Sequence, residues 1–358
     1  DGSVIAVALG ADADTVSLGA LARGGNGVVV PYVPGQRVNA AAVDVLAAAP
    51  ESLIVELGLA KGSMGLVDAD RSAAIYDHMG PGTEISGGSV ANSMVGVASF
   101  GGRSHYLGKV RADQLGEVFV HDIRANGVGY TTSLASDGPP TGSCLILVTP
   151  DAQRTMNTHL GAAVHFGPDD VDPSVVTDAE VLFLEGYLFD PPEAQEAFKV
   201  AAKLARDAGR KVAVTLSDPF CVERHRAAFV DLVDNHVDIV IANRDELCSL
   251  YETDDIEAAH NIVAERCPMA VVTHGPDGSF IITPDVRVRI QPEPVAEVVD
   301  TTGAGDQYAA GFLYGLATGL DLATCGRLGS IAAAEVISHL GARPQVSLAE
   351  LAAPVLNA

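Results

Sequence analysis

A chain of 358 residues with 48% hydrophobic and only 19% charged residues can bury a large core, which argues against disorder. The formal net charge of −24 speaks against a nucleic-acid partner, because affinity for a phosphate backbone rests on Lys and Arg neutralising its charges. Cys144, Cys221, Cys248, Cys267 and Cys325 lie far apart with no C-x-x-C pair, so neither a zinc site nor a disulfide framework is indicated and a reducing cytoplasm is expected.

Residues 1–27 are rich in Gly, Ala and Asp and take no assigned role. No basic n-region follows Asp1, and no stretch reaches roughly 18 uninterrupted apolar residues, so neither export nor membrane insertion is expected. Over 89–100, Ala91, Met94, Val95 and Ala98 form the apolar stripe of a helix, with Asn92 off it. Thr141–Thr149 reads as a strand, Pro150-Asp151 as a turn and Arg154–His159 as the returning strand. With Val128–Ser133 and part of Leu53–Val67, this hairpin is expected to build a small β lid from discontiguous segments at about 45–67 and 128–160.

Downstream, the apolar runs Val181–Leu184, Val212–Leu216, Val237–Ala242 and Ala270–Thr273 alternate with Ala-rich helical segments such as 194–208 and 256–265. That alternation predicts one large α/β domain across 1–358, a doubly wound, mainly parallel sheet flanked by helices. Val298-Val299-Asp300-Thr301-Thr302-Gly303-Ala304-Gly305-Asp306 then leads into a helix with Ala310, Leu313, Tyr314 and Ala317 on one face. Small side chains at Gly303, Ala304 and Gly305 leave backbone N–H groups open at a helix N-terminus, an anion site that needs no cationic side chain. Asp306, in the first turn, is favoured as a carboxylate and could accept a proton from a hydroxyl beside a bound phosphoryl group. Read alone, it could equally cap a helix that packs closely. The run is neither a Walker A loop nor a G-x-G-x-x-G fingerprint, since Tyr308 stands where the third glycine belongs.

These residues resemble the second signature of the pfkB, or ribokinase-like, carbohydrate kinases. Gly87-Gly88-Ser89-Val90-Ala91-Asn92, running on to Phe100-Gly101-Gly102, resembles the first signature of the same family. The stretch from about Val43 to about Pro344 is most similar to bacterial adenosine-kinase-like members. The resemblance implies a ribokinase-like fold and phosphorylation of a sugar hydroxyl by ATP. Asp306 would be the base, Gly303, Ala304 and Gly305 the anion hole, and Asn92, Gly87, Gly88 and Asp44 the sugar contacts. Arg154 would reach over the phosphates from the lid. Asn243-Arg244-Asp245-Glu246 resembles the family's N-x-x-E motif, in which Glu246 would organise Mg²⁺ through water; Asn with Glu three residues later is also an ordinary capping box. Thr273, Gly275 and Gly278 would line the nucleotide, with Asn243 beside them. Asp300 and Thr302 would lie near a monovalent cation such as potassium.

The match loosens near the start. Val38-Asn39 precedes Asp44 without the family's glycine and with one residue more between Asn and Asp. The expected acceptor is a nucleoside, adenosine first, through its 5′-hydroxyl. Another sugar, ribose or fructose, is the alternative, followed by a ligand sensor that keeps the fold without catalysis. Monomer and homodimer are both open.

Overall fold

The computed structural model describes residues 3–7 (backbone only), 41–62, 64–151, 153–186 and 192–357. Two sheets organise them. The large one has nine strands: β1 (Ser3–Val7), β5 (Arg103–Leu107), β6 (Val128–Tyr130), β9 (Val181–Glu185), β10 (Lys211–Thr215), β11 (Ile239–Asn243), β12 (Met269–Thr273), β13 (Ser279–Ile282) and β14 (Arg287–Ile290). Their order is β14-β13-β12-β11-β10-β9-β1-β5-β6, parallel from β12 through β6, with β13 and β14 antiparallel.

Alternate residues of a strand face opposite sides of its sheet, and this sheet is apolar on both. In β9, Val181 and Phe183 pack with Ile241, Val271 and Phe312 on one side, while Leu182 and Leu184 pack with Phe198, Val214 and Val240 on the other. Continuous apolar runs, rather than alternating ones, are therefore what the central strands need. The Ala-rich segment is the helix Pro192–Asp207, whose small buried residues Ala194, Ala197, Ala201 and Ala205 form the stripe that meets the sheet.

The small sheet runs β3-β8-β7-β2-β4, from β2 (Ala42–Ala48), β3 (Met64–Leu66), β4 (Gly82–Gly87), β7 (Gly142–Val148) and β8 (Arg154–His159). β7 and β8 form the expected hairpin, with Val148 opposite Arg154. Val43, Val45, Leu145 and Leu147 point into the main core, together with Ile54 and Ile75 from the helices Glu51–Glu56 and Ala69–Tyr76. The register places Asp44, Leu46, Cys144, Ile146, Val148, Arg154, Met156 and Thr158 on the other face.

Two expectations change. Val128–Tyr130 is not part of the lid: it pairs in parallel with β5 after the intervening helix Gln114–Ala125, and Gly82–Gly87 takes the place beside β2. Its three residues carry too little pattern to choose between sheets. Ser3–Val7, within the stretch given no role, is a central strand between β9 and β5. Its short β-branched run is hidden among Gly, Ala and Asp. Among the described residues, no helix is long and apolar enough to cross a membrane.

Candidate active site

Two helix N-termini converge on one carboxylate. Asp306 lies in the first turn of the helix Ala304–Ala317, which is capped by Gly303 with φ 79° and ψ 0°. A side chain there would be doubly opposed, by the left-handed backbone and by Ala342, whose Cα, Cβ and O would lie 2.7 Å from an added Cβ. Gly305 borders open space, with nothing within 4 Å of where its Cβ would be, so its backbone is accessible. The turn thus has an abrupt start, open main chain at Gly305 and the positive end of a helix dipole, features of an anion cradle, while the Ala304 N–H donates to Thr301 O at 3.2 Å.

The second helix, Ser89–Ser99, begins after Gly88. Its Ser89 hydroxyl donates a short hydrogen bond to Asp306 Oδ1, and Asn92 Nδ2 donates to Oδ2 at 3.1 Å. Both signatures therefore meet at the group expected to be the base. Asn92 is 6% exposed, so it is not a solvated first-turn residue. Its backbone oxygen accepts from Gln307 Nε2 at 2.9 Å, and the same amide donates to Ala342 O at 3.0 Å.

Asp44 reaches the same region from β2. Its carboxylate oxygens would come within 2.5 and 2.7 Å of a Cβ on Gly87, so only glycine at 87 allows the acid to lie across the strand end. This juxtaposition supports the placement of Asp44 with Gly87 and Gly88. Asn39 lies outside the described residues.

At the other end of the lid face, Arg154 Nη2 pairs with Asp300 Oδ2 at 2.8 Å. Asp300 Oδ1 accepts from the Thr302 hydroxyl at 2.7 Å and its N–H at 3.2 Å, while Oδ2 also accepts from Gly341 N at 2.9 Å. Burial raises the acid's pKa, but the Gly341 N–H, the Arg154 charge and Thr302 outweigh it and hold Asp300 below its ordinary value. Asp300, expected near a monovalent cation together with Thr302, has the Arg154 guanidinium as its counter-charge. Arg154 is tied to the signature loop itself.

The residues expected to line the nucleotide sit at the carboxyl edge of the large sheet. Asn243 ends β11 directly opposite Thr273, which ends β12. Asn243 and Glu246 form a reciprocal capping box: Asn243 N donates to Oε2 at 2.9 Å, its Nδ2 to Oε1 at 2.6 Å, and Glu246 N donates to Asn243 Oδ1 at 2.8 Å. Gly275 and Gly278 shape the turn after β12 with φ of 55° and 90°. Ser279, which follows that turn, shares a 2.5 Å hydrogen bond with Tyr308, linking it to the Asp306 helix.

Sequence reasoning assigned no role to Ser89, Gln307, Arg343, Asp122 or Glu185. Ser89 and Gln307 stood inside the signatures. Glu185 is wholly buried at the carboxyl end of β9, where an acid closing an otherwise apolar strand was the available signal. Arg343 and Asp122 are separated from Asn92 along the chain and carried none.

The pfkB family carbohydrate kinase pattern matches residues 68–348. The chain belongs to the pfkB family of carbohydrate kinases. Among pfkB relatives it is 30% identical to a 5-dehydro-2-deoxygluconokinase of Shouchella clausii, covering 76% of this chain and 87% of that protein. It is 44% identical to the crystal structure of adenosine kinase from Sinorhizobium meliloti, with TM-score 0.81 and 99% of each chain covered. A probable sugar kinase from Rhizobium etli CFN 42 is 43% identical, with TM-score 0.82, covering 99% of this chain and 98% of that one. As a pfkB kinase the protein transfers phosphate from ATP, usually with Mg²⁺. The residues that would hold Mg²⁺ through water are Asn243 at the strand end and Glu246 in the first turn of the helix that follows, a buried carboxylate that already accepts from the Asn243 N–H and amide.

Proposed function

We propose that this kinase transfers the γ-phosphoryl group of ATP to the 5′-hydroxyl of a nucleoside, adenosine first. The observation that carries the chemistry is Asp306, held by Ser89 and Asn92 beside the open turn at Gly303–Gly305. Asp306 accepts the hydroxyl proton as the alcohol oxygen attacks. Backbone N–H groups of Gly303 and Gly305 meet the charge of the transferring phosphoryl group, joined by that of Ala304 once it leaves Thr301 O, the larger part of the catalysis in such reactions. Asp44 and Asn92 bind sugar hydroxyls, as a carboxylate and a carboxamide can. Glu246 and Asn243 would hold Mg²⁺ through water, and the ion when bound would supply neutralisation of phosphate charge. Thr273, Gly275 and Gly278 line the nucleotide.

The nucleoside reading rests on the lid. The face running from Asp44 to Arg154 is apolar between them: Cys144, Ile146 and Met156 are buried in it, and Leu46 and Val148 are partly exposed. A planar base can rest on such a surface. An acidic sugar such as 5-dehydro-2-deoxygluconate calls for a cation, and Arg154, on that face, is paired with Asp300.

Incubating the enzyme with ATP and Mg²⁺ against adenosine, other nucleosides, ribose, fructose and 5-dehydro-2-deoxygluconate tests the assignment. Adenosine is expected to give the highest kcat/KM. A sugar or sugar acid that outperforms every nucleoside would overturn the acceptor while keeping the chemistry. Binding of ATP and adenosine without product would favour a sensor.

A further inference from the structure

Arg343 lies on the loop after the helix Leu322–Val336, remote in sequence from both signatures, and its side chain is only 12% exposed. Nη1 pairs with Asp122 Oδ2 at 2.7 Å, Nη2 binds the Ser86 hydroxyl at 2.7 Å and the Ser86 backbone oxygen at shorter range, and Nε donates to Asn92 Oδ1 at 3.3 Å. Asp122 also accepts from Ser86 N at 2.8 Å and Ser86 Oγ at 2.6 Å. Burial raises the Asp122 pKa, but Ser86 and Arg343 outweigh it and hold it below the ordinary value, so the pair is ionised at neutral pH. The guanidinium is thereby neutralised and immobilised, with its last edge aimed at the Asn92 amide.

A primary amide has one accepting and one donating end, and which end faces a neighbour is decided by the hydrogen bonds it makes. Arg343 can only donate, so it takes Asn92 Oδ1 and turns Nδ2 toward Asp306. A carboxylate could orient the amide unaided only while it is ionised. Once Asp306 has taken the substrate's proton it becomes a donor as well, and an unanchored amide could turn its oxygen to meet that proton. The anchored amide cannot, so Oδ2 keeps its N–H partner and the proton is received at Oδ1, where the Ser89 hydroxyl can rotate to accept. From this geometry we propose that Arg343 is a positioning residue for phosphoryl transfer, acting through Asn92 to fix the orientation of the catalytic base.

The proposal rests on the reading of Asp306 as base, and a double-mutant cycle separates the two. kcat, both KM values and the unfolding midpoint are measured for N92A, R343A, the double variant and D306N. R343A is expected to lower kcat roughly tenfold or more with KM for ATP unchanged. In the N92A background the same change should add little, since the interaction it removes is already gone. If the two losses multiply, Arg343 acts independently of Asn92 and the proposal is wrong. Should R343A fail to fold, R343K keeps a positive charge beside Asp122, but one ammonium group cannot serve Asp122, Ser86 and Asn92 together; wild-type kcat in that variant also overturns the proposal. A D306N enzyme with near-normal turnover instead refutes the reading of the base.

Discussion

Asp300 illustrates how one residue's partners decide which ions a site can use. Its carboxylate accepts from the Thr302 N–H and hydroxyl and from Gly341, and its charge is met by Arg154. A fixed guanidinium supplies what a bound monovalent cation would supply, so initial rates in potassium chloride and in choline chloride should coincide. Arg154→Ala leaves the acid without its counter-charge, and rates of that variant should then rise with potassium. Strong potassium activation of the unmodified enzyme would contradict this account. Asp306, Gly303 and Asn92 were legible because each sits in a compact motif whose chemistry is local. The pairing of Arg154 with Asp300 was not, since charge partners on a strand and on a distant loop leave no mark on the spacing of either.

At the scale of elements, the lid presents a strip of apolar residues between Asp44 and Arg154, one end joined to the first signature through Gly87 and the other to the second through Asp300. If a base rests there, Leu46→Ser, at a partly exposed position of the strip, should raise KM for the nucleoside roughly tenfold, the cost of about 1.5 kcal/mol of apolar contact, and leave KM for ATP unchanged. Steady-state kinetics with each substrate varied in turn would show it; equal effects on both KM values would place the strip outside the acceptor site. The β7–β8 hairpin was readable from two strand runs joined by the Pro150-Asp151 turn. Short strands were not: Gly82–Gly87 and Val128–Tyr130 each satisfy a strand pattern, and only tertiary pairing sends one to the small sheet and the other to the large.

For the whole molecule, the doubly wound core followed from apolar runs alternating with helical segments, because a sheet covered on both faces needs strands that are apolar throughout. The same burial makes the fold sensitive to acid. Burial holds His260 near a pKa of about 4, against 6.5 when exposed, and also lowers His105 and His274. The unfolded chain therefore takes up protons before the native one as pH falls below 6.5. Stability is full above that value and is lost down to about 4, by about 3 kcal/mol from His260 alone. Unfolding midpoints across this range should fall with pH, and His260→Leu should flatten the slope; an unchanged slope would assign the loss elsewhere.

The chemistry proposed for this kinase turns on Asp306 accepting the proton of the alcohol that attacks ATP. Its most direct test is the turnover of Asp306→Asn, with ATP and adenosine binding measured on the same preparation. Binding should persist while kcat falls about 10²-fold or more, the usual consequence of removing a general base. Turnover close to that of the unmodified enzyme would contradict the claim.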